Sequence, residues 1–277
     1  MINTNKYQLK MYKIYNFIED KSINLPLTEN RAFLYGDGFF ETIIIKNGDL
    51  FFFTDHYARM IDASIELNLA PFPSAKELEE QILLFISSHK KLSRLKIIIF
   101  RNAEGLFAPE KNTPLFYLEE KEIPIHQVKK KSAFFSTKTG NRESNTSRFK
   151  TISSLHYVLA GVELNSSDYD EIILLDEKLN ISECLSSNIW WIKDNIVYTP
   201  NKSTGCITGV ARKNIFKYLT SKKIKHINGQ YQKDDLINAD FCFTSNVAGL
   251  HIISSVESND FPAFHQIFED IKKALFS

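Results

Sequence analysis

Short apolar runs bounded by turn residues dominate the chain, and between them lie segments whose apolar positions recur at helical spacing. Phe39 to Ile45 reads as a buried strand, followed by Asn47-Gly48 and then Leu50-Phe51-Phe52-Phe53. Asn-Gly tolerates the positive φ of a tight primed turn, so this stretch predicts a β-hairpin. Asp55 is expected to cap a helix whose buried face carries Met60 or Ile61, Ile65 and Leu69, with Pro71 and Pro73 ending it. Ser74 and Glu77 fit a capping box for a second helix reaching about Ser88. Arg94 to Phe100 and Leu115 to Leu118 are further strands, separated by a polar loop, Asn102 to Pro114, long enough to border a substrate.

The charged segment Glu119 to Lys131 contains Pro124 and three consecutive lysines, Lys129 to Lys131, and reads as the joint between two domains. The division it suggests is residues 1–122, a linker at 123–131, and residues 132–277. Beyond the linker, Ser132 to Ser136 is a strand and Thr137 to Phe149 a polar loop. Leu155, Val158, Leu159 and Val162 mark the expected buried face of a helix. Glu171 to Leu175, Ile181 to Trp191, Asn195 to Tyr198 and Phe241 to Asn246 are predicted strands. Gly205 to Arg212 leads into a helix reaching about Tyr218, and Phe264 to Phe276 forms a last amphipathic helix. The expected class is mixed α/β, and no internal repeat is present.

Composition narrows the chemistry. A chain of 277 residues with 43% hydrophobic and 24% charged positions has ordinary globular character, with room for one large core or two. Its formal net charge of +1 gives no electrostatic reason for a nucleic-acid or acidic-membrane partner. Cys184, Cys206 and Cys242 form no C-x-x-C pair, so a disulfide framework or metal site is not expected and reduced thiols are. Met1 to Lys13 lacks the apolar core of a signal peptide, and no apolar run approaches the ~18 residues that span a bilayer. A cytoplasmic protein acting on a small molecule is the expectation.

Lys150 stands directly before the helix at Leu155, and Glu183 lies within Ile181 to Trp191. A lysine that attacks a carbonyl and a carboxylate beside a pyridine nitrogen are the two poles an aldehyde cofactor needs. Its phosphate needs an arginine fork and a helix N-terminus, for which Arg59, near His56, and the Gly209-Val210-Ala211 helix start are candidates. Each has a bland counterpart: a surface lysine, a surface glutamate, a structural ion pair, and an ordinary loop-to-helix junction.

These residues occur in a series of short motifs. They are Gly36-Asp37-Gly38-x-Phe40-Glu41, His56-x-x-Arg59, Lys150, Asp170-Glu171-x-x-Leu174-Leu175-Asp176, Ser182-Glu183-x-x-Ser186-Ser187-Asn188-Ile189, Tyr198-Thr199-Pro200 and Gly209-Val210-Ala211-Arg212. Taken together they resemble the class IV aminotransferase family of pyridoxal-phosphate enzymes over nearly the whole chain. The resemblance implies a two-domain fold like that of D-amino-acid aminotransferase, with pyridoxal 5'-phosphate in the inter-domain cleft, and a homodimer. It implies Lys150 as the Schiff-base lysine and proton shuttle, Glu183 on the ring nitrogen, Arg59 on the phosphate and Ile207 against the ring. Gly209, the amides of Val210 and Ala211, and Ser187, Ser245 and Asn246 would complete the cofactor site. Phe40, Arg101, Arg148 and Ser245 are the implied substrate contacts.

Some positions depart from the family pattern. Leu155 stands where branched-chain enzymes carry a tyrosine, and Phe40 where D-amino-acid enzymes carry one. Ala211 and Asn246 replace threonines of the phosphate site, and Ser245 replaces an asparagine of the lyases. Leu155, Glu183-Cys184 and the run Asn195 to Pro200 make the chain most similar to 4-amino-4-deoxychorismate lyases, which form 4-aminobenzoate and pyruvate. The alternative is a branched-chain or D-amino-acid aminotransferase using 2-oxoglutarate, and the third reading is a cofactor-binding paralogue without turnover.

Overall fold

A computed structural model of the chain describes residues 11–16, 21–22, 29–86, 92–125 and 127–276. Most of the Met1 to Lys13 segment therefore lies outside the described residues. The chain divides into two compact units, Met1–Ile125 with Lys150–Ser153, and His126–Phe149 with Ser154–Ser277.

Among the described residues the first unit carries an antiparallel six-stranded sheet in the order β2-β1-β6-β5-β3-β4. Its strands are β1 (Met11–Asn16), β2 (Lys21–Ser22), β3 (Gly38–Lys46), β4 (Asp49–Leu50), β5 (Ser93–Arg101) and β6 (Pro114–Glu122). The predicted hairpin joins β3 to β4, with Asn47 at φ 56° and Gly48 at φ 89°. Its second arm is shorter than expected. Phe52, at φ 57°, turns the chain into helix α2 (Phe53–Glu66), so Phe53 opens a helix and Asp55 sits inside its first turn. The helix also ends before Pro71 and Pro73.

The buried stripe of α2 is Phe53, His56, Arg59, Met60, Ala63 and Ser64, while Ile65 is 72% exposed. A count of apolar positions alone misplaces this face, because three of its members, His56, Arg59 and Ser64, are polar. The partner of His56 and Arg59 is Glu41, buried on β3. Arg59 Nε donates to Glu41 Oε1 and Nη2 to Oε2, each at 2.7 Å, and His56 Nδ1 lies 2.7 Å from Oε2. Burial alone would raise the Glu41 pKa. The Arg59 charge and the His56 hydrogen bond outweigh burial and hold it at about 2. Helix α1 (Arg31–Tyr35) is capped by the Asn30 side chain, and helix α3 (Ala75–Phe85) has the Ser74/Glu77 capping box that its sequence predicts.

One edge of β3 is completed from far along the chain. Phe40 N–H donates to Lys150 O at 2.8 Å and Ile152 N–H to Gly38 O at 3.0 Å. Residues 150–152 therefore run as a strap beside the start of β3.

The second unit holds a mixed nine-stranded sheet among the described residues, ordered β12-β11-β10-β13-β14-β7-β8-β9 with β15 on β14. In chain order its elements are β7 (Lys130–Asn141), α4 (Leu155–Asn165), β8 (Glu171–Asp176), β9 (Ile181–Cys184), β10 (Asn188–Lys193), β11 (Ile196–Pro200), α5 (Val210–Ser221) and β12 (His226–Gly229). They continue with α6 (Lys233–Ile237), β13 (Phe241–Asn246), β14 (Gly249–Val256), β15 (Asn259–Asp260) and α7 (Gln266–Phe276). β10 explains why its sequence is apolar without alternation. Ile189 and Trp191 join one core cluster while Trp190 and Ile192 join another, so both faces of the strand are buried.

Several expectations change here. β7 starts within the lysine run, and Lys131 Nζ lies 2.8 Å from buried Glu171. It also continues through Asn141, so the front of the expected polar loop is strand. Ile181 to Trp191 breaks into β9 and β10 at Leu185–Ser187, where Cys184 N–H donates to Ser187 O at 2.9 Å. On α4 the predicted buried face is exposed: Leu155 is 67%, Val158 58%, Leu159 52% and Val162 58% accessible. The helix packs instead through Ala160, Tyr157 and Leu164, because it is apolar on both sides and periodicity cannot tell which side the sheet takes.

Glu41 has its pKa depressed from 4.5 to about 2, so its stabilisation is full above pH 4.5 and is lost as pH falls toward 2. Thermal melts across this range should show Tm falling more steeply in the wild type than in Glu41→Gln. At neutral pH the variant should be less stable by about 3–5 kcal/mol, since it leaves the Arg59 charge buried without its counterion.

Candidate active site

Glu183 lies on β9, 3% exposed, and four other segments reach it. Asn141 Nδ2 at the end of β7 donates to Oε1 at 3.0 Å, as does Ile207 N–H from the loop before α5 at 3.1 Å. Tyr157 on α4 donates its hydroxyl to the same oxygen. Asn188 Nδ2 at the start of β10 approaches Oε2 at 3.3 Å and also donates to Ile207 O at 2.9 Å. The carboxylate is thus cradled by neutral donors, and its field is felt nearby. Burial, then the Glu183 charge, raises the Cys206 thiol to about 11 and pushes the Tyr157 phenol well above its ordinary range. Burial lowers the Arg212 pKa. All three cysteines are free and buried.

Helix α5 begins on Gly209, with no side-chain cap and no acidic residue in its first turn. The first N–H groups of an α-helix have no intrahelical acceptor, so Val210 and Ala211, both buried, open an anion-binding end. A Cβ on Gly209 would lie 2.3 Å from Asn188 Oδ1, which explains glycine there. Its φ of −62° is ordinary, so close approach rather than backbone conformation requires it. The neighbour it approaches is the same asparagine that holds Glu183 and Ile207.

In the first unit the Lys150 ammonium stands 5.1 Å from the centroid of the Phe40 ring. A second lysine, Lys96 on β5, lies at the same distance from that ring. The sequence reading missed Lys96, since a lysine in a strand carries no signal until its neighbour across the sheet is known. Arg59 turns Nε and Nη2 toward Glu41.

Other expected contacts find different partners. Arg101 donates Nε to Asp37 at 3.0 Å, Nη2 to Leu67 O at 2.7 Å, and Nη1 to Asn68 O and Asn112 Oδ1. All three of its nitrogens donate within the framework. Ser245 is 1% exposed and its Oγ accepts from Trp190 Nε1 at 2.8 Å, so its hydroxyl serves the core. Asn246 Nδ2 reaches Ser186 O at 3.4 Å. Ser187 is buried, with no hydrogen-bond partner for its Oγ. Arg148 accepts through its carbonyl from Thr208 N–H and Oγ1, each at 3.1 Å. Tyr157 and Asn141 are the donors that sequence reasoning missed. Asn141 sits among polar residues that look like a loop. The one available hint was Tyr157, a phenol on an otherwise apolar helix that needs a hydrogen-bond partner when buried.

The amino-transferase class IV family matches residues 38–256. The chain is 25% identical over 258 residues to the aminodeoxychorismate lyase of Vibrio harveyi, covering 86% of this chain and 91% of that one. It is 24% identical over 237 residues to the D-alanine aminotransferase of Bacillus licheniformis, covering 83% and 82%. Its fold is similar to that of the branched-chain aminotransferase of Thermoproteus uzoniensis crystallised with norvaline, with a TM-score of 0.85 at 18% identity over 96% of this chain and 93% of that one. The protein belongs to the class IV aminotransferase family, whose members are enzymes that use pyridoxal 5'-phosphate.

The second unit fits that cofactor. An anionic carboxylate among neutral donors suits a protonated pyridine nitrogen, and an uncapped helix N-terminus suits a phosphate. Gly209→Ala should drive Asn188 off its partners and lower stability by about 1–3 kcal/mol. Removing the Asn188 side chain relieves that clash. The double variant Gly209→Ala/Asn188→Ala should therefore be destabilised by less than the sum of the singles, as measured by denaturant titration.

Proposed function

We propose that the protein is a pyridoxal-phosphate lyase acting on 4-amino-4-deoxychorismate, releasing 4-aminobenzoate and pyruvate. The observation that carries this reading is the pair of lysines, Lys96 and Lys150, on the Phe40 ring. The substrate bears one amine and two carboxylates, so beside the lysine that does chemistry it needs a further cation. Lys96 has that charge, which a branched-chain substrate would not use. The Vibrio harveyi lyase among the relatives supports the same choice.

When bound, pyridoxal phosphate supplies an aldehyde for the substrate amine and a protonated ring that draws electrons from the adjacent carbon. Lys150 Nζ would hold the cofactor and would take the proton from the carbon bearing the substrate amine. It returns a proton to the departing enolpyruvyl group, and aromatisation of the six-membered ring drives the release. Glu183 holds the ring nitrogen. The amides of Val210 and Ala211, with Arg59, hold the phosphate; Ile207 packs on the ring, and Ser187 offers a hydroxyl. The role of Arg148 is with substrate. Lys150→Ala should abolish visible absorbance and 4-aminobenzoate formation, and Lys96→Met should raise KM more than it lowers kcat. A colourless wild type in excess cofactor would overturn the cofactor reading.

A second reading is an aminotransferase on D- or branched-chain amino acids with 2-oxoglutarate. It is favoured by Ser245, which replaces the lyase asparagine and is turned into the core. Keto-acid formation from an amino-acid panel, without 4-aminobenzoate, would select it. Cofactor uptake with neither product would select the paralogue without turnover.

The exposed apolar face of α4 supports a homodimer, since a patch this apolar marks a binding surface. Three free buried cysteines support a cytoplasmic setting. Light scattering should give twice the chain mass, reduced by Val158→Asp/Leu159→Asp; a monomeric wild type would remove the dimer.

A further inference from the structure

We propose that Tyr157 is a positioning residue that keeps the shared proton on the cofactor's ring nitrogen by drawing the negative charge of Glu183 onto Oε1. This rests on the pyridoxal-phosphate reading of Glu183. Three donors converge on Oε1 from three elements: Tyr157 from α4, Asn141 from β7 and Ile207 from the loop before α5. Each hydrogen bond stabilises the carboxylate over the carboxylic acid and so lowers its hold on a proton. A carboxylate facing a pyridine nitrogen competes with it for one proton. Donation to Oε1 tilts that competition toward the nitrogen.

Tyr157 is the strongest of these donors, because a phenol bonded to a carboxylate makes a shorter and stronger bond than an amide does. Burial and the Glu183 charge keep the phenol protonated, so it remains a donor throughout the working range. Further groups that interact electrostatically with Glu183 are the Cys206 and Cys184 thiols and the Arg212 guanidinium. Arg212 donates Nη2 to Pro200 O at 2.6 Å.

The helix carrying Tyr157 is fixed to the strand carrying Asn141. Glu163, six residues further along α4, accepts from Ser136 Oγ at 2.6 Å, Thr137 N–H at 2.9 Å and Thr137 Oγ1 at 3.2 Å. This clasp ties α4 to β7 and sets the two donors against one oxygen. Tyr157 also packs on the cluster of Ala160, Ile172 and Leu174, which Phe would preserve.

The test uses holoenzyme loaded with pyridoxal phosphate carrying nitrogen-15 in the ring. The wild type should show the chemical shift of a protonated ring nitrogen. In Tyr157→Phe it should move toward the unprotonated value, while kcat falls about tenfold for each pKa unit the carboxylate gains and KM changes little. Tyr157→3-fluorotyrosine, a more acidic donor of nearly the same shape, should hold the shift at the protonated limit, and it serves if the phenylalanine variant fails to fold. An unchanged shift in Tyr157→Phe, or movement toward the unprotonated value in the fluorinated protein, overturns the role of Tyr157 alone. A wild type that takes up no label overturns the cofactor reading and this proposal with it.

Discussion

A carboxylate removed from water must be given donors or it will not stay charged, and Glu41 in the first unit and Glu183 in the second are two such groups. The two are satisfied in opposite ways. Glu41 is met by the Arg59 fork and the His56 ring, so its charge is cancelled where it lies. Glu183 is held by a phenol, two side-chain amides and a backbone N–H. The first arrangement is a fastening between β3 and α2. The second orients a buried carboxylate through several neutral donors, with the Arg212 guanidinium also interacting with it.

The parts of this design that were legible in the sequence are those governed by local chemistry. Asn47-Gly48 dictates a tight turn and Ser74 with Glu77 a helix start, and both form as expected. Lys150 and Glu183 stood out because their residue types match a known chemistry at known motifs. What escaped was set by tertiary pairing. The stripe of α2 includes an arginine and a histidine, which a hydrophobic count discards, and only the distant Glu41 makes their burial possible. On α4 both faces are apolar, so the sequence offers two answers and the sheet selects one.

Arginines show the same limit. Arg101 was a reasonable carboxylate ligand by type, yet together with Arg31 it grips Asp37, and further bonds from the two side chains reach Asn112 and Gly105 of the following loop. The G-D-G triplet thus serves as an anchor for the loop between β5 and β6. A guanidinium looks the same in a sequence whether its partner is a substrate or a backbone carbonyl.

The strap of residues 150–152 has a consequence for the order in which the chain is made. The first unit draws an edge of its sheet from residues that follow β7, which belongs to the second. During synthesis from the N-terminus, everything up to Ile125 emerges before the last hydrogen-bonding partner of β3 exists. Until Ile152 has been added, Phe40 keeps an unpaired N–H and Gly38 an unpaired carbonyl on an open strand edge, the kind of surface that recruits other chains. The residues that close this edge begin at Lys150, so the chain cannot finish its first sheet without also setting that lysine in place.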